Sequence, residues 1–88
     1  MSELPVPAKT VFSDFSFDLT DYKVERSGET IATLKGLANS DEGGNHISFL
    51  YGADVKPGDV LISDEDYIVK KVKTDTYHGN PELIKAYF

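Results

Sequence analysis

The sequence predicts an all-β domain, a single small β-barrel or sandwich of SH3-like or related form with five to six mostly antiparallel strands. Three observations carry this expectation. Short apolar runs recur about every ten residues. Turn-forming residues separate them. Five Tyr and five Phe supply flat rings of the kind that pack on pleated surfaces. A chain of 88 residues makes one domain, expected over residues 11–88, with residues 1–10 as an extended N-terminal arm that carries Pro5 and Pro7.

Taken in order, residues 11–19 admit two periodicities. Phe15, Phe17 and Leu19 alternate as in a strand, whereas Val11, Phe12, Phe15 and Leu19 would line one face of a short helix. The alternation is cleaner, so a strand is expected. Tyr22–Arg26 and Thr30–Lys35 flank Ser27-Gly28-Glu29 as a tight hairpin. Residues 36–45, polar and rich in glycine, read as an exposed loop. His46–Tyr51 follows as a strand with Ile47, Phe49 and Tyr51 on one face.

Lys56-Pro57-Gly58-Asp59 has the chemistry of a type II turn. Proline presets φ at its first corner, and glycine accepts positive φ at the second. Val60-Leu61-Ile62 is apolar on both faces, as in a strand crossing a core. Ser63-Asp64-Glu65-Asp66 reverses the chain into Tyr67–Val72. There the alternation slips at Lys70-Lys71, which predicts a bulge. Thr74–Glu82 reads as a second long loop, and Leu83–Phe88 as a closing strand beside Tyr67–Val72.

The composition narrows the function classes. Fifteen acids against nine bases give a net charge of −6, which argues against nucleic acid as a partner, since phosphate binding draws on Lys and Arg. Only Lys70, Lys71 and Lys73 gather positive charge. There is no cysteine to serve as nucleophile, disulfide or thiolate ligand. No apolar run is long enough to span a bilayer, and the N-terminus lacks a signal-peptide pattern, so the expectation is no membrane association and cytoplasmic synthesis.

No residues converge in a recognisable catalytic or metal motif, so no catalytic residue, metal or cofactor is expected. His46 and His78 read as exposed turn residues rather than a zinc pair. Asp64, Glu65 and Asp66 lack the spacing of a calcium loop and read as a hydrated turn. Lys71, Lys73, Tyr77, His78, Lys85 and Tyr87 form the candidate interaction surface near the C-terminus, because tyrosine combines a large ring with a polar tip. Phe12, Phe15 and Phe17 join it, since three phenylalanines in six positions must be buried in the core or against a partner.

The run Val55-Lys-Pro-Gly-Asp-Val-Leu61, followed by Tyr67-Ile-Val-Lys-Lys-Val72 and by Ile84-Lys-Ala-Tyr-Phe88, resembles small structural proteins of tailed bacteriophages and prophages, of the head-tail joining, head-closure and neck type. The likeness spans about residues 45–88 and leaves the Phe-rich N-terminal third unmatched. It implies a non-enzymatic virion component, a head-tail connector or tail-associated protein that assembles with itself or with other virion subunits. The alternative reading of the same residues is a small binding module for a peptide or nucleic acid, with aromatic side chains lining a groove beside residues 36–45.

Overall fold

A computed structural model describes residues 2–14 and 19–88. In chain order the elements are β1 (Ser2–Glu3), α1 (Ala8–Asp14), β2 (Thr20–Arg26), β3 (Glu29–Asp41), β4 (Gly44–Leu50), β5 (Val60–Ile62), β6 (Asp66–Ile68), β7 (Lys71–Tyr77) and β8 (Asn80–Tyr87). The strands form one sheet in the order β1-β7-β8-β4-β3-β2-β5-β6. All neighbours are antiparallel except β1 and β7, which are parallel. The all-β class is therefore as expected. The sheet is open, with β1 and β6 at its ends.

Its main core lies on one face, where Tyr22, Val24, Ile47, Phe49, Val55, Leu61, Val69 and Ala86 pack together. Alternation along β4 and β8 places Ile47, Phe49 and Ala86 there and turns His46, Ser48, Lys85 and Tyr87 to the opposite face. At one end of that second face, Ala8 and Phe12 of α1 bury Leu83, with Leu4 and Leu19 alongside.

The strand expected over residues 11–19 is corrected for its described part, which is helical through Asp14. Pro7 sits just ahead of the first turn, where the missing N–H costs nothing and its carbonyl accepts from Thr10 N–H at 3.0 Å. Ala8 and Phe12 are four residues apart and share the face turned to Leu83. The strand pattern rested on Phe15 and Phe17, which lie outside the described residues. The segment expected as an extended arm is extended and paired at its described start. Ser2 and Glu3 pair with Asp75 and Thr76, and Leu4 N–H donates to the Thr76 carbonyl at 2.6 Å.

Both expected long loops are strand instead. β3 continues through Asp41, pairing with β2 as far as Gly36 and with β4 from Leu37 onward. Gly36 is the crossing point. A Cβ there would sit 2.6 Å from Ile47 Cγ2 and 2.8 Å from Phe49 Cε1, so only glycine lets the strand lie this close to the core. Likewise β7 and β8 extend until Tyr77 pairs with Asn80, leaving only His78-Gly79 as the turn. Asn39, Ser40 and Asn80 are exposed at the solvated ends of these hairpins, whereas Asp75 and Thr76 are buried, so polarity in these stretches does not mark loss of pairing.

The register slip at Lys70-Lys71 has a different cause from the bulge expected. β6 pairs with β5, whereas β7 pairs with β8, so the chain changes neighbours between Ile68 and Lys71. Val69 drops into the core, exchanging backbone hydrogen bonds with the Pro-Gly-Asp turn: Val69 N–H donates to Asp59 O at 2.9 Å and Gly58 N–H to Val69 O at 2.8 Å. Lys70 N–H then donates to Tyr87 O at 2.7 Å. The bulges themselves fall elsewhere, at Val24/Glu25 and Asp75/Thr76.

Candidate functional site

The second face of the sheet is the most chemically rich part of the molecule. Register alone assembles it. β8 lies between β4 and β7, so Lys85 stands opposite both Ser48 and Lys73, and Tyr87 opposite both His46 and Lys71. On the far side of β4, Asn39 pairs with His46 and Asp41 with Gly44. Asp75 lies two positions beyond Lys73 and therefore on the same face.

Lys85 is the hub. Its Nζ lies 2.8 Å from Asp75 Oδ2 and 2.9 Å from Asp41 Oδ2, and the Asp75 side chain is only 4% exposed. Tyr87 O–H donates to the same Asp41 oxygen at 2.8 Å, and Gly43 N–H donates to Asp41 Oδ1 at 2.8 Å. Burial opposes the charge on Lys85, but its bonds to Asp75 and Asp41 outweigh that and hold the ammonium at about 12. Asp41 moves the other way: hydrogen bonds from Lys85 and then Tyr87 hold its carboxyl well below the usual carboxylate range. Burial, with the bond to Asp41, pushes the Tyr87 hydroxyl up.

His46 lies beneath this network, 2% exposed. Its ring centroid is 4.8 Å from that of Tyr87, and Nδ1 is 3.3 Å from the Gly44 carbonyl. A carbonyl only accepts, so that contact is a hydrogen bond when Nδ1 carries the proton. Two cavities adjoin the cluster. One of about 200 Å³ runs under α1 between Leu4, Ala8, Phe12 and the His46–Lys85 row. The other, about 390 Å³, opens beside Asp41, Glu42, Lys73 and Tyr87.

This arrangement binds charge to charge. An amine held protonated between two carboxylates is a poor nucleophile or base, and a carboxyl held ionised is a poor acid. Its direct effect is to lock β3, β7 and β8 in register by a bridge across strands.

Of the residues singled out in the sequence, Lys71, Lys73, Lys85 and Tyr87 come together. The Lys71 and Lys73 ammonium groups lie 4.8 and 5.7 Å from the Tyr87 ring centroid, within the range of cation–π attraction. Tyr87 itself is buried and finishes the packing on this face. Tyr77 and His78 are at the other end of the β7–β8 hairpin, their rings 4.2 Å apart. Phe12 is 7% exposed and packs with Ala8 and Leu83 beneath α1, the core alternative of the two that the sequence left open for it. Phe15 and Phe17 lie outside the described residues.

The exposed-turn reading of His46 is corrected by its burial on β4, while His78 does occupy a turn, with φ of 50°. The two histidines belong to opposite ends of β8, His46 beside Tyr87 and His78 beside Asn80. Among the described residues no group of three or more His, Cys, Asp or Glu is placed to hold a metal. None of the helices among the described residues is long and apolar enough to cross a membrane.

A second charged group went unread in the sequence. Asp59, the last residue of the Pro-Gly-Asp turn, is 2% exposed. Arg26 donates to it through Nε at 2.9 Å and Nη2 at 2.8 Å, a two-pronged fork, and Nη2 also reaches Asp54 at 3.0 Å. Lys56 N–H donates to Asp59 as well, at 2.8 Å. Arg26 therefore holds both Asp59 and Asp54 below the usual carboxylate range. The turn is type II as expected, with Gly58 at φ 93° and Asp59 N–H donating to Lys56 O at 3.1 Å. What the sequence hid is that its aspartate clamps the β2–β3 hairpin to the loop before β5.

No family model matches this chain, no curated protein matches it, and no solved structure matches it. The fold and the site together define an open-sheet β domain whose main charged cluster is satisfied by its own partners.

Proposed function

We propose that this chain is a non-enzymatic structural subunit that works through protein–protein contacts, as a head-tail connector or tail-associated component of a tailed-phage or prophage particle. The observation that carries the assembly reading is the open sheet, which leaves strand edges with backbone donors and acceptors that another chain can pair. The virion setting rests on the likeness of residues 45–88 to head-tail joining and neck proteins. The self-contained charge network supports the same reading. Lys85, the most enclosed cation of the candidate surface, is committed to Asp41 and Asp75 and serves to stiffen the scaffold.

The test is particle composition. Mass spectrometry of particles purified after induction of the genetic element that encodes the chain is expected to find it at a fixed ratio to the capsid protein. Recovery of the chain solely outside the particles overturns the reading.

A further inference from the structure

From the hydrogen-bond pattern we infer that the first half of β3 is a self-pairing edge, through which two copies of this chain join as an antiparallel, two-fold dimer centred on Ala32. The inference rests on the assembly reading and names the first partner. β3 pairs with β2 from Glu29 to Gly36 but with β4 only from Leu37 to Asp41. The side of residues 29–35 away from β2 thus pairs with no strand among the described residues. The chain end of β4 turns off at Tyr51-Gly52, leaving a groove of about 550 Å³ beside Leu34, Phe49 and Tyr51.

This is the longest free edge of the described sheet. The β6 edge has three residues and follows the acidic Asp64-Glu65, and the β1 edge has two; short or acidic edges discourage pairing. The β3 edge, Glu29-Thr-Ile-Ala-Thr-Leu-Lys35, contains no proline and no charge between its two ends.

Those ends choose the partner. In an antiparallel pair centred on Ala32, Glu29 of one copy faces Lys35 of the other, and the same contact repeats by symmetry. Ile31 then meets Thr33 across the outer face, while Thr30 meets Leu34 on the face that continues the core. The side-chain alternation agrees, since Ala32 and Leu34 pack towards the core and Ile31 and Thr33 are exposed. No like charges stand opposite each other. Lys35 already touches Asp21 at 3.1 Å, but both side chains are exposed, so that pair holds Lys35 only weakly.

Sedimentation velocity across a wide concentration range tests the dimer, with Glu29→Lys, Lys35→Glu and the double swap beside the wild type, and circular dichroism to establish that each is folded. Each single swap sets like charges opposite at two symmetric contacts and is expected to weaken dimerisation about tenfold. The double swap restores the original pairing and is expected to return the affinity to within about twofold. A wild-type chain that stays monomeric, or a dimer that ignores the single swaps, overturns the inference. Either result leaves the particle-composition test unaffected, so the two proposals fail separately.

Discussion

Gly36→Ala reads out whether β3 crosses the core where the structure places it. The added Cβ would lie 2.6 Å from Ile47 Cγ2, 2.8 Å from Phe49 Cε1 and 3.1 Å from Tyr22 Cδ2. Carbon atoms rest about 3.5–4.0 Å apart, so the first two neighbours must retreat by close to an ångström. Ile47 and Phe49 are each 1% exposed and belong to the main core, so a retreat of either disturbs its packed neighbours. Overpacking of this kind costs about 1–3 kcal/mol, and two rigid neighbours favour the upper part of that range. Replacing glycine also restricts the unfolded chain, which returns about 0.4–1 kcal/mol.

The net expectation is a loss of about 2 kcal/mol, or a Tm lower by about 8–16 °C for a domain of this size. Urea unfolding should show a lower midpoint with an unchanged slope. Ile47→Leu removes the Cγ2 methyl at nearly constant volume, so Gly36→Ala should cost about 1 kcal/mol less in that background. The rival picture, a solvated loop at residues 36–45, predicts the opposite sign, because only the unfolded-state gain would remain. A neutral or stabilising Gly36→Ala therefore refutes the crossing.

The charged face makes further predictions. Lys85→Met leaves the buried Asp75 carboxylate without its cation and should lower stability by about 2 kcal/mol in urea unfolding, a discounted value because Lys85 retains some solvent contact. Tyr87→Phe keeps the ring against His46 and deletes one hydrogen bond, so a loss of about 1 kcal/mol is expected. Stability should be flat between about pH 5 and pH 9 and fall on both sides. On the acid side, Asp41, Asp54 and Asp59 are held below their ordinary value, so their contribution is present above it and lost as pH falls through their folded values. On the alkaline side, Lys85 is held at about 12, so its contribution is complete below its ordinary 10.5 and lost as pH rises through 12. The raised Tyr22 and Tyr87 hydroxyls act in the same direction above their ordinary 10.0. Denaturation midpoints measured from pH 3 to pH 12 check this, and a Lys85→Met chain that keeps the full alkaline fall would contradict the assignment.

Alternation made the strand interiors readable. Ile47 and Phe49 fall on the core side as their spacing requires, and Pro57-Gly58 turns as its backbone chemistry dictates. The end of the β3–β4 hairpin was misread because polar side chains there signal solvent and say nothing about pairing, so Asn39, Ser40 and Asp41 concealed the last six residues of β3, 36–41. Gly36 looked like a loop residue for the same reason. Its role depends on Ile47 and Phe49, which are distant in sequence. The Lys70-Lys71 slip was visible, but a change of pairing partner and a bulge leave the same local signature.

The charged site was half legible. Lys85 and Tyr87 stand out on a terminal strand, but Asp41 and Asp75 reach them only through the sheet order, which local pattern does not encode. His46 carried a usable signal: it shares the alternation of Ser48, on the face opposite Ile47 and Phe49. Arg26 and Asp59 are joined only once the β2–β3 hairpin folds over the turn before β5.

Amide hydrogen exchange at low and high protein concentration addresses the assembly claim most directly, because it reads the edge residue by residue. Amides within residues 29–35 are expected to become protected as concentration rises, while those of Asp66–Ile68 on the acidic edge do not change. Protection that is independent of concentration across residues 29–35, or that appears at β6 instead, would contradict it.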